Sequence, residues 1–234
     1  MTLIKSISGI RGTIGGKAGE NLTPRDIVEF TSAFGYYLLQ EGAVPKVVLG
    51  RDGRISGSMV SRLVANTLVG LGIDVLDLGL STTPTVEMAV PMEGAGAGII
   101  ITASHNPKHW NALKFLDARG EFISAEAGKA LLQLIDSDVI RYAGVDDIGR
   151  YRRREGYLDK HIDRIMALPL VDAEAVRARG FRVVVDAINS TGALALPPLL
   201  DRLGVEAVVI NGEVTGDFAH NPEPLPEHMV ELAG

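Results

Sequence analysis

Short apolar runs alternate with helical patterns along the first 140 residues. Lys46-Val47-Val48-Leu49-Gly50 reads as a strand, as do 73–78 and 97–101. Near-continuous apolar strands of this kind are buried on both faces of a sheet. Between them the period becomes helical. Thr23-Pro24 offers an N-cap followed by proline at the first helical position, Ile27, Phe30, Phe34, Tyr37 and Leu38 follow at helical spacing, and Gly42 closes the segment. A second helix is expected from about Ser56, carrying Val60, Leu63, Val64, Leu68 and Leu71 on one face, and a third after Thr83-Pro84. Strands separated by helices need crossover connections, so the pattern predicts an α/β fold with a largely parallel sheet covered on both faces.

Over 137–157 the apolar periodicity weakens, and Arg150-Tyr151-Arg152-Arg153-Arg154-Glu155 is a charged run that reads as a solvated linker face. A helix follows over 157–167, then a strand at 181–186, a helix over 194–203, a strand at 205–210 and a helix over 227–233. This is a second β-α-β unit with no closing strand, shorter than a domain of the usual ~100–150 residues. The predicted organisation is a first domain over 1–140, a linker over 141–157 and a second, incomplete domain over 158–234, with the chain read as truncated.

Composition narrows the chemistry. The chain has no cysteine, which removes disulfides, thiolate catalysis and Cys-based metal sites. No apolar run approaches the ~18 residues of a membrane span, and the start lacks the pattern of a secretory signal, so the expected compartment is the cytoplasm. A net charge of −6 without a long basic block leaves no electrostatic footprint for nucleic acid. An anionic ligand would have to be met by locally placed Arg, Lys and backbone N–H groups.

The segment richest in chemistry is Ile99-Ile100-Ile101-Thr102-Ala103-Ser104-His105-Asn106-Pro107, continuing through Asn111 and Lys114 to Phe115. A buried strand delivers small and polar residues at its carboxyl end, where ligands bind in parallel α/β sheets. Pro107 stiffens the loop just after Ser104. The Gly-x-Ser-x-Gly elbow of a serine acyl-enzyme is absent, and His105, next to Ser104 in sequence, is poorly placed to activate it. On residue pattern alone the segment fits equally a nucleophile loop and a polar turn in which Asn-Pro ends a buried strand.

Several stretches carry a resemblance. Ala103-Ser104-His105-Asn106-Pro107, with Asn111 and Lys114 downstream, resembles the active-site serine loop of the α-D-phosphohexomutase superfamily of phosphoglucomutases, phosphomannomutases and phosphoglucosamine mutases. Ser8-Gly9-Ile10-Arg11-Gly12-Thr13 is similar to its N-terminal signature, and Gly50-Arg51-Asp52-Gly53-Arg54-Ile55-Ser56-Gly57 to its Gly-x-Asp-x-Arg-x-Ser-Gly segment. Val183-Val184-Val185-Asp186 with Asn189 and Gly192, and Phe218-Ala219-His220-Asn221-Pro222-Glu223-Pro224, resemble second-domain motifs. The matches run in order across nearly the whole chain.

The resemblance implies repeated three-layer α/β/α domains with mainly parallel mixed sheets, the first complete and the second truncated. It implies a phosphohexomutase that interconverts hexose 1-phosphate and 6-phosphate through a phosphoserine and a hexose bisphosphate intermediate. By position, Ser104 would carry the phosphoryl group, Lys114 would act as general acid/base and Arg11 as an electrostatic clamp. His105, Asn106 and Asn111 would orient the phosphate. Mg²⁺ would bind Ser104 through its phosphate. The family's Asp-Gly-Asp-x-Asp-Arg metal loop does not occur in the sequence, so the Asp ligands are expected beyond Gly234 and this piece is expected to be inactive alone. Arg51, Asp52 and Arg54 read as a structural ion-pair cluster and Ser56 as a helix N-cap. His220 could either buttress the second domain or touch ligand. The implied substrate is that of a phosphoglucosamine mutase, with a bifunctional phosphomannomutase/phosphoglucomutase and a non-catalytic phosphosugar-binding module as the alternatives. Neither membrane nor nucleic acid is expected as a partner.

Overall fold

The computed structural model of the chain describes residues 1–6, 9–135 and 137–234; Ser8, in the N-terminal signature, lies outside the described residues. The first unit is built on a seven-stranded sheet. Its strands are β1 (Ile4–Ser6), β2 (Gly9–Thr13), β3 (Lys46–Arg51), β4 (Asp74–Leu80), β5 (Ala97–Ile101), β6 (Trp110–Leu116) and β7 (Tyr151–Arg153), in the order β1-β2-β6-β5-β3-β4-β7. β5, β3, β4 and β7 pair in parallel, while β6 is antiparallel to β5, β2 to β6 and β1 to β2. The sheet is therefore mixed and mainly parallel, with only β1 and β6 running against the other strands.

Helices α1 (Pro24–Gln40), α2 (Gly57–Gly70), α3 (Thr83–Met92), α4 (Ala125–Ile135) and α5 (Tyr157–Met166) complete three layers. Side chains alternate across each strand. Val47, Leu49, Ile99, Ile101, Leu113 and Phe115 pack under α1, α2 and α4, and Phe34 of α1 stacks on Phe115 with centroids 4.3 Å apart. Val48, Leu76, Ile100 and Leu116 pack under α3 and Tyr157 of α5. Burial on both faces is why these strands read as continuous apolar runs.

The predicted strands and helices of this unit are present with small boundary changes. α1 ends at Gln40, with Gly42 in the left-handed region at φ 67. α3 begins at Thr83, slightly earlier than expected, with Thr82 at its N-cap. Ser56 occupies the N-cap position of α2, but its hydroxyl accepts from Asn111 Nδ2 at 2.9 Å instead of capping the helix. The run expected as a solvated linker contributes β7: its side chains are exposed, yet its backbone adds an edge strand to β4. Arginines on an exposed edge discourage further pairing. The Tyr151 hydroxyl donates to Asp77 at 2.7 Å, and loss of hydration, reinforced by the Asp77 carboxylate, pushes the phenol up to about 12.

The second unit holds a short α6 (Ala173–Ala178), then β8 (Arg182–Asp186), α7 (Gly192–Arg202) and β9 (Glu206–Ile210), with β8 and β9 paired in parallel. The helix expected over 227–233 is a 3₁₀ turn at Pro226–His228 followed by α8 (Val230–Ala233). Among the described residues no helix is long and apolar enough to cross a membrane.

Candidate active-site loop

β3 ends in the turn Asp52-Gly53-Arg54, beside the loop that leaves β5. Arg54 is 1% exposed, an expensive place for a guanidinium unless every donor is used. It is fully used. Nε donates to Asp52 Oδ2 at 3.1 Å; Nη1 donates to the carbonyls of Pro107 (2.8 Å) and Trp110 (2.9 Å); Nη2 donates to those of Ser104 (2.9 Å) and Asn106 (2.7 Å). These account for all five N–H donors of the side chain. Burial pulls the guanidinium below its usual range, against the opposing charge of Asp52. The Asp52 carboxylate also accepts the Thr102 hydroxyl at 2.6 Å, and Thr102 Oγ1 accepts the Ser104 N–H at 3.2 Å. The cluster read as structural thus grips the backbone on both sides of Ser104.

Ser104 itself is exposed and sits at φ +54, a left-handed conformation that serine adopts rarely and at some cost. Four bonds from Arg54 over-determine the loop and hold it there. Ser104 Oγ lies 3.5 Å from His105 Nδ1, the outer limit of a hydrogen bond. His105 Nε2 is 3.4 Å from Glu223 Oε2. Asn106 gives its backbone N–H to Ala103 O at 3.0 Å, while its buried Oδ1 has no partner. Asn111 is completely buried: its amide donates to Ser56 and accepts the Ala112 N–H at 2.8 Å, so its polar atoms are engaged within the scaffold.

Arg11 and Lys114 come together on neighbouring strands. The β2–β6 register pairs Arg11 with Ala112 and Gly9 with Lys114, which puts both cationic side chains on one face of the sheet. They line a cleft of about 270 Å³ with Ser6, Gly9, Ile10, Ala112 and Leu113. Arg11 is exposed, and Lys114 is partly buried with its ammonium 5.8 Å from the Phe122 ring centre. Burial lowers the Lys114 pKa, Arg11 and Arg54 lower it further, and Glu87 of α3 and Asp52 oppose them. Glu87 in turn is raised by its own burial, against Lys114.

The structure therefore gathers Ser104, His105 and Asn106 in one loop and Arg11 and Lys114 in one cleft. Asn111 stands inside the scaffold. The pattern of residues did not single out Thr102, Glu87 or Phe218 for the site. Glu87 and Phe218 reach it only through tertiary contact; Thr102, a polar residue ending an apolar strand, was a readable signal. Among the described residues no group of three or more Asp, Glu or His side chains is placed to hold a metal ion. The carboxylates near the loop are engaged: Asp52 with Arg54 and Thr102, Asp217 with Lys108 at 2.6 Å, and Glu223 against His105. These residues do not by themselves make a Mg²⁺ site.

Comparison with known proteins bears on the same residues. The sequence model described as phosphoglucomutase/phosphomannomutase, alpha/beta/alpha domain I, matches residues 3–139, and that for domain II matches 159–234. A "Phosphoglucomutase/phosphomannomutase" of Thermococcus kodakarensis is 38% identical over 222 residues, covering 93% of this chain and 48% of the relative. A "Probable phosphoglucosamine mutase" of Methanopyrus kandleri is 36% identical over 226 residues, covering 96% and 47%. The crystal structure of a phosphoglucomutase/phosphomannomutase family protein from Burkholderia thailandensis superposes with a TM-score of 0.78 at 26% identity, covering 99% of this chain and 50% of that one. The chain spans about half the length of the curated relatives it matches. With both domain models matched in order across the fold just described, the chain belongs to the α-D-phosphohexomutase superfamily and corresponds to its N-terminal portion.

Proposed function

We propose that this chain supplies the phosphoryl-carrying part of a phosphohexomutase, with Ser104 as the carrier. The observation that carries the reading is an exposed serine whose own carbonyl, with those of Asn106, Pro107 and Trp110 after it, is held by one buried arginine. Rigid placement of this kind is what phosphoryl transfer asks of a protein, since the chemistry depends mainly on positioning and charge. In the proposed step a hydroxyl of a hexose monophosphate attacks the phosphorus. The new sugar O–P bond forms, the Ser104 Oγ–P bond breaks, and a hexose bisphosphate results. Lys114 takes the hydroxyl proton and returns it to Ser104 Oγ; its lowered pKa increases the neutral fraction that can do so. Arg11 clamps the phosphate through its guanidinium. His105 and Asn106 orient the serine phosphate. In the second half-reaction the bisphosphate has turned over and its other phosphoryl returns to Ser104.

Mg²⁺ belongs to the proposal as a cation that neutralises phosphoryl charge when bound. One ligand would be a phosphoryl oxygen on Ser104, and the carboxylates would come from outside the described residues. The substrate reading is a glucosamine phosphate, from the resemblance carried by the Ser8-Gly9-Ile10-Arg11-Gly12-Thr13 opening and the Asp186–Gly192 stretch. The 38% identical relative, named for glucose and mannose phosphates, favours the second reading, a bifunctional phosphomannomutase/phosphoglucomutase.

The test is to incubate the chain with glucosamine 1,6-bisphosphate or glucose 1,6-bisphosphate and to read the intact mass and the phosphopeptide. Phosphate on Ser104, absent in Ser104→Ala, is expected, and the preferred sugar separates the two substrate readings. A chain that binds either bisphosphate without ever gaining covalent phosphate would instead be a phosphosugar-binding module.

A further inference from the structure

Among the contacts that the second unit makes with the active-site loop and its support, one is built around Arg54. The backbone of the second unit presses against the Asp52–Arg54 turn. Gly53 donates its N–H to Ser190 Oγ at 3.1 Å, just beyond the carboxyl end of β8. Gly216, at φ +72, approaches so closely that a Cβ there would lie 1.9 Å from the Gly53 carbonyl oxygen. The Gly216 N–H donates to Asn189 O at 2.9 Å, and Asn189 Nδ2 donates to Asp217 O at 3.0 Å, which ties this turn to the end of β8. From it, Phe218 lays its ring over the Arg54 guanidinium with Cζ 5.0 Å from the centroid. Arg54 spends all five donors in its own plane, so its faces are what remain to be covered, and an aromatic ring suits a guanidinium face. The neighbouring Lys108–Asp217 pair joins the same two segments, but both side chains are more than half exposed and the pair adds little.

We infer that Phe218 is a positioning residue for Ser104, acting through Arg54, so that the second domain holds the phosphoryl-carrying loop in place. This rests on Ser104 being the phosphoryl carrier. Arg54 fixes the carbonyls of Ser104, Asn106, Pro107 and Trp110, and the Phe218 ring keeps Arg54 dry and in plane. Without the ring, water reaches the guanidinium and competes for those donors. The strained φ of Ser104 then has less to oppose it.

The test compares wild type, Phe218→Ala and Phe218→Tyr in the full chain by amide hydrogen exchange, thermal unfolding and phosphorylation of Ser104 from glucose 1,6-bisphosphate. In Phe218→Ala the amides of Ser104, Asn106 and Trp110 should exchange at least ~10-fold faster while those of 97–101 are unchanged, and phosphorylation should slow by a similar factor. Phe218→Tyr, which keeps the aromatic face, should restore both. Equal acceleration of the loop and of 97–101 would show a merely structural role and overturn the inference. So would wild-type loop exchange in Phe218→Ala. Should Phe218→Ala fail to fold, Phe218→Leu keeps the bulk without the ring, and the same comparison decides. If wild type takes no phosphate at all, the carrier reading falls, and hydrogen exchange still decides whether Phe218 positions the loop.

Discussion

At the scale of single residues, Arg54 explains more of this molecule than Ser104 does. Ser104 supplies a hydroxyl, but its left-handed backbone and its place in space depend on bonds made by another side chain. Lysine at position 54 would keep the charge and lose the planar fork, leaving several loop carbonyls without a donor. We expect Arg54→Lys to lower the unfolding free energy by about 3 kcal/mol, the scale of breaking a buried, fully bonded charge. Urea titration checks this, and an unchanged midpoint would show that the five contacts carry little. The candidate residues of the loop were legible as types: a serine, a histidine and an Asn-Pro after a buried strand. Arg54 was legible as a charged residue in a recognisable segment. Its five partners were not, because four of them are backbone carbonyls that no residue pattern announces.

At the scale of elements, strand ends do the positioning. β8 ends at Asp186, which accepts the Ile188 N–H (2.9 Å), Asn211 Nδ2 (3.2 Å) and His220 Nε2 (2.7 Å). Burial would raise the Asp186 carboxyl, but these hydrogen bonds outweigh it and hold it below its ordinary value. His220 is raised by its hydrogen bonds to Asp186 and to the Asn221 carbonyl, against the effect of burial. Its structural role is therefore to pin the end of β8. The signs define a window. A raised histidine stabilises fully below its unfolded value of about 6.5 and loses that contribution as pH climbs through the folded value. A depressed carboxylate contributes above about 3.8 and loses its contribution as pH falls through the folded value. Wild type should therefore lose roughly 1–2 kcal/mol of stability between pH 6 and 9, the scale of one charge-assisted hydrogen bond, while His220→Gln should lose little. Denaturant melts at several pH values would show the two curves converging at high pH; parallel curves would rule the pair out as the cause. β7 makes the converse point. A run of arginines reads as solvent-facing, and its side chains are, yet its backbone closes the edge of a sheet because β4 presents an unpaired edge.

At the scale of the whole molecule, one of the places where the two units meet is the Gly53–Arg54 turn, so the loop that bears Ser104 is supported from both. Ser104, its arginine frame and the Lys114 cleft are all present, while no described cluster of carboxylates can hold Mg²⁺. We therefore expect the 234-residue chain alone to turn over hexose 1-phosphate, with Mg²⁺ and bisphosphate supplied, at least roughly a thousandfold more slowly than a full-length relative, the scale of losing metal-ion charge stabilisation. A coupled assay for hexose 6-phosphate measures it, and comparable rates would overturn the expectation. The sequence by itself determined the α/β class, the buried strands 46–50, 73–78 and 97–101, and the polar loop that follows 97–101 and bears Ser104. Those follow from local periodicity and turn chemistry, which neighbouring residues carry. Only tertiary structure decided that Gly9–Thr13 and Trp110–Leu116 pair into strands that bring Arg11 beside Lys114, since two glycines and a lone buried isoleucine make a weak strand signal in Gly9–Thr13. Tertiary structure likewise decided that Phe218 covers Arg54 and that Glu87 faces Lys114. Such contacts join segments far apart in the chain, and their energy comes from desolvation and close packing, which exist only once the chain has folded.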